Sequence, residues 1–347
     1  MRSSSIAAFA FAISLVVVVC GTSPLPSQPG PEAETDRDGA PPAVSATALP
    51  RTPTHTAAGG ETPPNGSPCP DGMAYVDTMF CPDVERRCID MEQEKTNHLP
   101  ICHAFAHEQK CRLPERRIAF CIDRYEYPNR RGAHPVWMLD WYQAQATCGS
   151  LGKRLCWASE WTAACEGPEH TPFPYGWARN HNECNMDNFY VEPKKFGPHG
   201  GFYFESKNHG IRARELARLD QSVPSGSMES CKSGFGVYDM TGNFDEWVTS
   251  DVAPREASHW AGLKGGAWGH VRSQCRPMTF SHEPGFEYYF VGFRCCSDVP
   301  GAPKWLPSPD AARAPAVEPH DFATEAIEAN DAPGPSRTKF SRSGRVE

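Results

Sequence analysis

Residues 263–296 of the chain read LKGGAWGHVRSQCRPMTFSHEPGFEYYFVGFRCC. The segment places glycine, aromatic, histidine, arginine and cysteine side chains between runs of β type. Gly265 and Gly266 allow the backbone to take a positive φ or to pass close to other groups. His270 and Cys275 then offer a titratable base and a soft sulfur a few residues apart. The pattern indicates either a reactive site or a structural segment held by disulfides, and spacing alone does not choose between them.

The N-terminus has the pattern of a secretory signal peptide over residues 1–23. Arg2 precedes the apolar run Ile6–Val19, which is shorter than the ~20 residues of a membrane-spanning helix. We therefore expect export. Cys20 at the end of the run suggests a lipoprotein anchored to the membrane through that residue, whereas cleavage after Gly21 would give a freely secreted protein.

The two ends of the chain are predicted to be disordered. Residues 24–67 and 301–347 are rich in Pro, Ala, Thr, Gly and acidic residues and contain few large apolar side chains. Such segments cannot bury enough surface to offset the entropy lost on ordering. One folded domain is therefore expected over residues 68–300. The net charge of −8 argues against a nucleic-acid partner, which would require a basic face.

The cysteines support the prediction of export. The chain has 15 Cys, and all except Cys20 lie between Cys69 and Cys296. A dense, even set after an export signal predicts disulfides, and zinc is disfavoured because no paired C-x2-C knuckle occurs. The adjacent residues Cys295 and Cys296 should have different partners.

Local patterns predict an irregular α+β domain with short elements. Residues 68–121 are expected to form a Cys-rich lead-in dominated by loops. A strand is predicted over Ile118–Tyr127, with Phe120, Ile122 and Tyr125 as candidates for burial. Helices are predicted over 141–151, where Asp140 provides the N-cap and Trp141, Ala144, Cys148 and Leu151 share one face, over 159–165, ended by Gly167 and Pro168, and over 211–219.

Several motifs occur in the same order as in one enzyme family. They are GKRL at 152–155, SEW at 159–161, PYG at 174–176, FGVYDMTGNFDEW at 235–247, KGGAW at 264–268 and VGFRC at 291–295. Across residues 70–298 the chain resembles the formylglycine-generating enzymes, also called sulfatase-modifying factors. The resemblance implies a loop-rich α+β fold related to C-type lectins and stapled here by disulfides.

The family's activity, by the same resemblance, is the copper- and oxygen-dependent oxidation of a protein cysteine to formylglycine in sulfatases. Two cysteines after the GGSW motif bind Cu(I), because soft thiolates suit a cuprous ion. In this chain Cys275 matches the second cysteine, His270 stands at the first, and Ala267 replaces the Ser of the motif. Cys275 and His270 are thus the candidate catalytic residues and copper ligands. The missing cysteine indicates a divergent member, altered or inactive in formylglycine formation.

The resemblance also implies calcium. Its ligands would be the side chains of Asp239 and Glu246 and the carbonyls of Gly242 and Phe244, with Asn185 at a second site. Alternating oxygens in a tight turn suit a hard cation with flexible coordination. The alternative is that these carboxylates simply cap and brace the turn.

Two disulfides follow from the resemblance. Cys148 and Cys295 match one family pair. Cys165 matches half of another, whose partner position is Phe280 here, so that Cys275 could take over as the partner. That pairing competes with a copper role for Cys275.

Two hypotheses remain. The protein is an exported oxidoreductase that acts on a cysteine of a protein or peptide substrate. Alternatively, it is a non-catalytic, calcium-braced module that binds a protein or glycan partner at the cell envelope, with membrane contact only through lipid on Cys20.

Overall fold

The computed structural model describes residues 66–94, 99–251, 260–269, 272–302 and 314–324, all within one compact unit, His55–Glu347. The predicted signal peptide 1–23, the lipidation candidate Cys20, and residues 24–65 of the predicted linker lie outside the described residues and stay predictions. Within the described part, no helix has the length and apolar character needed to cross a bilayer.

The domain is a mixed α+β structure, as expected. Its strands are β1 Met73–Phe80, β2 Val84–Gln93, β3 Pro100–Cys111, β4 Arg116–Asp123, β5 Arg154–Leu155, β6 Asp245–Thr249, β7 Ala261–Lys264, β8 Met278–Thr279, β9 Val291–Phe293 and β10 Cys295–Asp298. Its helices are α1 Trp141–Ser150, α2 Ala158–Glu166 and α3 His209–Leu219. One sheet has the order β1-β4-β10-β5, a second has the order β8-β7-β6-β9, and β2 and β3 form a separate two-stranded sheet.

The helix predictions are confirmed, with boundaries shifted by one or two residues. Asp140 caps α1 in a capping box: its carboxylate accepts from the Gln143 N–H at 2.8 Å, and the Gln143 side chain accepts from the Asp140 N–H at 3.0 Å. Gly167 ends α2 with a positive φ of 67°. Leu151 is exposed rather than buried, because it lies beyond the last turn of α1.

The strand prediction over 118–127 is confirmed in its first part. Strand β4 pairs with both β1 and β10, and Phe120 and Ile122 are fully buried in the core. They pack with Trp161 of α2. Tyr125 lies beyond the strand and is only partly buried.

The expectation of a loop-dominated lead-in is wrong, because four strands occupy most of residues 73–123. The hairpin β2–β3 escaped prediction because no residue of β2 is buried, with Ile89 and Met91 more than half exposed, and in β3 only Cys102 and Ala106 are buried. Its strands are instead joined by the Cys88–Cys102 disulfide. Without an apolar alternation, the sequence carried no strand signal there.

All fourteen cysteines of the described domain form disulfides, as predicted from their even number. The pairs are Cys69–Cys121, Cys81–Cys111, Cys88–Cys102, Cys148–Cys295, Cys156–Cys296, Cys165–Cys275 and Cys184–Cys231. Cys295 and Cys296 have different partners, as expected, and they join the start of β10 to Cys148 of α1 and to Cys156 between β5 and α2.

The prediction of a disordered tail over 301–347 is wrong for residues 314–324. There Ala323 is fully buried in the cluster that contains Trp141, and the His320 N–H donates to the Ala146 carbonyl at 3.1 Å. Phe322 packs partly against the same cluster. Because the tail contains few apolar residues, its composition did not predict these contacts with α1.

Candidate functional site

The opening stretch of the sequence meets the turn at 239–246 through its glycines. Gly265 and Gly266 have positive φ values of 91° and 68°, as expected. The Gly265 carbonyl accepts from the Gly242 N–H at 3.1 Å, and the Trp268 N–H donates to the Asn243 carbonyl at 3.3 Å. The KGGAW and FGVYDMTGNFDEW motifs therefore form one structural unit.

Asn185 joins this unit at close range. A side chain at position 242 would place its Cβ 2.3 Å from the Asn185 carbonyl oxygen, so only glycine fits there. That carbonyl accepts from the Asn243 N–H at 2.8 Å, and the Asn185 amide donates to the Asn243 side-chain oxygen at 3.1 Å. The structure thus places Asn185, from the second predicted calcium site, against Gly242 of the first.

Both carboxylate oxygens of Glu246 and one of Asp239 are engaged by protein donors. Arg294 donates to both carboxylate oxygens of Glu246, at 2.6 and 2.7 Å, and Trp161 adds a third hydrogen bond at 2.9 Å. One oxygen of Asp239 accepts from the Gly226 N–H at 2.6 Å. A calcium ion on Glu246 would meet the charge of Arg294 directly. The residues therefore fit the bracing alternative, and a calcium role for Glu246 is not favoured by this geometry.

A third carboxylate, that of Glu126, lies buried in the same region, and no sequence motif indicated it. Its oxygens accept from the Asn243 amide at 2.9 and 3.1 Å and from the Ser225 hydroxyl at 2.9 Å. Burial, and then the charges of Asp239 and Glu246, raise the pKa of Glu126 well above its ordinary value. Burial also raises the pKa of Asp239, to about 7. The cluster is a polar support for the turn.

Cys275, the candidate catalytic residue, is bonded to Cys165 and fully buried. Its N–H donates to the Pro172 carbonyl at 3.0 Å, which fixes the backbone beside α2. A sulfur in a disulfide is not a thiolate and cannot act as a nucleophile or bind Cu(I). The structure therefore corrects the copper role of Cys275 in favour of the alternative pairing. His270, the other candidate, lies outside the described residues.

The predicted Cys148–Cys295 pair is also present, and it joins α1 to the VGFRC motif. Next to it, Cys156 pairs with Cys296. Two adjacent disulfides thus hold the last strand, and this part of the family pattern serves the scaffold.

An aromatic cleft of about 280 Å³ opens beside the KGGAW motif. Its lining consists of Tyr190, Val191, Ala267, Trp268, Gly269, His282, Phe286, Tyr288, Tyr289 and Phe290. At its mouth Tyr190 is 68% exposed, and the preceding Phe189 is 83% exposed. Large exposed aromatic side chains beside a concave apolar surface are typical of a binding site.

The cleft walls are built by stacked and crossed rings. His282 stacks on Phe286 with centroids 3.8 Å apart, and Phe286 stacks on Tyr288 at 5.4 Å. Phe290 crosses Tyr288 at 66° and Trp268 at 83°. Sequence analysis missed this site because Tyr190 is far along the chain from residues 282–290. A run of aromatic residues at 286–290 was its only local signal.

Comparison with known proteins identifies the domain type. The family described as the sulfatase-modifying factor enzyme 1-like domain matches residues 102–299. The chain is 28% identical over 179 residues to a mouse protein named inactive C-alpha-formylglycine-generating enzyme 2, covering 49% of this chain and 51% of that protein. It is 24% identical over 228 residues to the uncharacterized protein YfmG of Bacillus subtilis, covering 60% and 42%. The chain thus spans about half the length, or less, of these relatives.

Among solved structures, the chain is similar to CarF and PvdO. CarF is 15% identical, with a TM-score of 0.40, and the match covers 66% of this chain and 99% of that one. PvdO from Pseudomonas aeruginosa is 16% identical, with a TM-score of 0.34, and the match covers 65% and 94%.

Proposed function

This chain belongs to the family of sulfatase-modifying factor enzyme 1-like domains, and on that premise we propose that it is an exported binding module that does not generate formylglycine. Its ligand would be a group displayed by a protein or glycan partner at the cell envelope. The aromatic cleft beside Gly269 would receive that group.

The observation that carries the loss of activity is the Cys165–Cys275 disulfide. The resemblance assigns the reaction to a pair of cysteine thiolates, and the chain has His270 in place of one of them. The other is Cys275, whose sulfur is bonded and buried. Neither position then supplies a thiolate. The mouse relative is named as an inactive enzyme, which supports the same conclusion for this chain.

The cleft supports a binding role. Its lining is mostly aromatic, it is open at the side of Tyr190, and it lies next to the motif that the family uses for chemistry. A rigid scaffold behind it, with seven disulfides in the described domain, suits a preformed site, because ordering costs on binding are small.

Export is supported by the signal-like residues 1–23 and by the number of disulfides, which persist in oxidising compartments. Lipid on Cys20 would hold the module at the membrane surface, and cleavage after Gly21 would release it. Metabolic labelling with a fatty acid, compared between the natural chain and Cys20→Ser, separates these two routes.

The activity test uses the purified chain and a sulfatase-type peptide containing a cysteine, with and without added Cu(I) and oxygen. Mass spectrometry reads formylglycine in the peptide, and non-reducing peptide mapping reads the state of Cys275 in the same preparation. We expect no formylglycine and a Cys165–Cys275 linked peptide. Formylglycine formation together with a free Cys275 thiol would overturn the proposal and favour the oxidoreductase hypothesis.

Calcium is tested in the same preparation. Because Arg294 occupies the oxygens of Glu246, we expect the thermal midpoint to be unchanged by a chelator. A fall in the midpoint that calcium restores would support the calcium-braced form of the module.

A further inference from the structure

The aromatic cleft is small. Its volume of about 280 Å³ is at the lower end of ligand sites, which span roughly 300–1,000 Å³. A cavity of that size takes one head group and not a folded segment. The ligand question therefore concerns which compact group matches these walls.

The walls contain aromatic rings in more than one orientation. The planes of Tyr288 and Phe290 cross at 66°, with centroids 4.7 Å apart, and those of Phe290 and Trp268 cross at 83°. Tyr190 adds an exposed ring at the mouth. The face of an aromatic ring is its negative part, so a cation that enters this space and reaches a ring face is attracted to it.

The charges near the cleft favour the same sign. Among the described residues that line it, none is Lys, Arg, Asp or Glu. The carboxylates of Glu192 and Glu205 lie close enough to raise the pKa values of Tyr190 and Tyr288 respectively, in each case after burial as the larger cause. Arg218, a cation near Tyr289, is ion-paired with Glu215 at 2.5 Å.

The polar groups of the lining bear on whether a primary or a methylated ammonium fits the cleft better. A primary ammonium has three N–H groups that need acceptors, and the lining side chains offer it only the hydroxyls of three tyrosines and the His282 ring, with no carboxylate. A methylated ammonium has a delocalised charge on an apolar surface and no N–H group to satisfy when it is fully methylated. It loses little hydration and gains contact with every ring it touches.

We propose that the cleft formed by Tyr190, Trp268, Phe286, Tyr288 and Phe290 binds a quaternary ammonium head group. This inference rests on the binding role proposed for the cleft, and it replaces the protein or glycan ligand named there with a quaternary ammonium compound. The head group belongs either to a soluble compound or to a lipid, and the two sources share the same trimethylammonium chemistry.

The test uses the full chain and measures binding of choline by ligand-observed NMR and calorimetry. The matched probe is 3,3-dimethylbutan-1-ol, which has the shape of choline with carbon in place of the charged nitrogen. We expect choline to bind at least about tenfold more tightly than the neutral probe. Equal affinity for the two probes, or no binding of choline, overturns the proposal.

Variants at the exposed mouth locate the site without disturbing the core. Tyr190→Phe keeps the ring face and should keep the preference for choline, whereas Tyr190→Leu keeps an apolar side chain and should weaken choline binding about threefold to tenfold. Phe196→Leu, at a 44% exposed aromatic position outside the cleft lining, is the control and should bind as the natural chain does. An equal loss in the leucine variants at 190 and 196 overturns the assignment to this cleft.

A vesicle arm distinguishes the two sources. Choline binding together with Tyr190-dependent binding to phosphatidylcholine vesicles supports a lipid head group, and choline binding without vesicle binding supports a soluble ligand. The proposed function has a separate readout. Formylglycine in the peptide assay would overturn the proposed function, whereas absence of a choline preference would overturn the ligand class alone.

Discussion

Arg294 donates through two nitrogens to the two carboxylate oxygens of Glu246, at 2.6 and 2.7 Å, with both side chains shielded from solvent. The same guanidinium donates to the Tyr238 carbonyl at 2.9 Å. One buried cation thus balances a carboxylate of the turn and links that turn to the VGFRC motif.

Replacing Arg294 by Met should therefore be strongly destabilising. The variant leaves Glu246 buried without its partner, near the carboxylates of Glu126 and Asp239. Breaking a buried pair from one side costs about 3–5 kcal/mol, and urea unfolding measures it. Arg112→Met is the control, because Arg112 and its partner Glu85 are each 55% exposed. We expect the control to leave the free energy of unfolding nearly unchanged, because exposed ion pairs contribute little, and similar losses in both variants would contradict the role of Arg294.

The Cys165–Cys275 disulfide should contribute more stability than the Cys88–Cys102 disulfide. The two bonds span 110 and 14 residues of chain respectively. In the chain-entropy model the longer loop contributes more, but by less than the roughly 2 kcal/mol that the two spans alone would give, because the Cys156–Cys296 and Cys184–Cys231 bonds already shorten the loop that Cys165–Cys275 closes. The double variants Cys165→Ser/Cys275→Ser and Cys88→Ser/Cys102→Ser, compared by urea unfolding, give the difference. A larger loss from the hairpin pair would show that loop closure does not govern these bonds.

Asp251 should make stability depend on pH between about 4 and 6. Burial raises the pKa of Asp251 to about 6, although Ser159 donates to it from its hydroxyl and from its N–H. The unfolded chain has the ordinary value near 4, so the folded state binds the extra proton. Its free energy of unfolding then falls as pH rises through this window.

Asp251→Asn should remove that loss. The stability of the variant relative to the natural chain should increase between pH 4 and pH 6 by about 2–3 kcal/mol and then level off. Urea unfolding at pH 4, 5, 6 and 8 (conditions chosen to bracket the window) measures it. Asp77→Asn is the control, because the partly exposed Asp77 has a pKa lowered mainly by its hydrogen bonds from Arg117. A flat difference for Asp251→Asn would contradict the raised pKa.

Ala323→Asp should detach the segment 314–324 from α1. Ala323 is fully buried against the cluster of Trp141, and an unpaired carboxylate there costs about 2 kcal/mol or more. Faster proteolysis of the C-terminal segment, read by mass spectrometry, measures the change. Ala316→Asp makes the same substitution at an exposed position of the segment and should leave the cleavage rate near that of the natural chain. Equal rates in the two variants would show that Ala323 is not docked.

The helices could be predicted because their signals are local. Asp140 supplies both a cap and a capping box within four residues, and Gly167 stops α2 where its φ becomes positive. Those signals act before any tertiary contact forms. The family motifs added the order of the remaining elements, which local patterns do not contain.

The cleft and the buried acids could not be predicted for the opposite reason. Tyr190 lies beside residues 286–290 only in the folded chain. No sequence pattern separates Glu126 from an exposed acid, because its hydrogen bonds with Asn243 and Ser225 form only on folding. The pairing of Cys275 was left open because two partners, copper and Cys165, suited the same residue type. The structure pairs Cys275 with Cys165, whereas the composition of the chain could not distinguish the two alternatives.

The disulfides also determine what a protease would leave behind. Phe189 and Tyr190 form the most exposed aromatic pair of the described chain, and a cut between them would fall inside four disulfide-closed loops: Cys148–Cys295, Cys156–Cys296, Cys165–Cys275 and Cys184–Cys231. The two fragments would stay one covalent molecule until a reductant is added. A nick at the mouth of the cleft would therefore change ligand access without releasing any part of the domain.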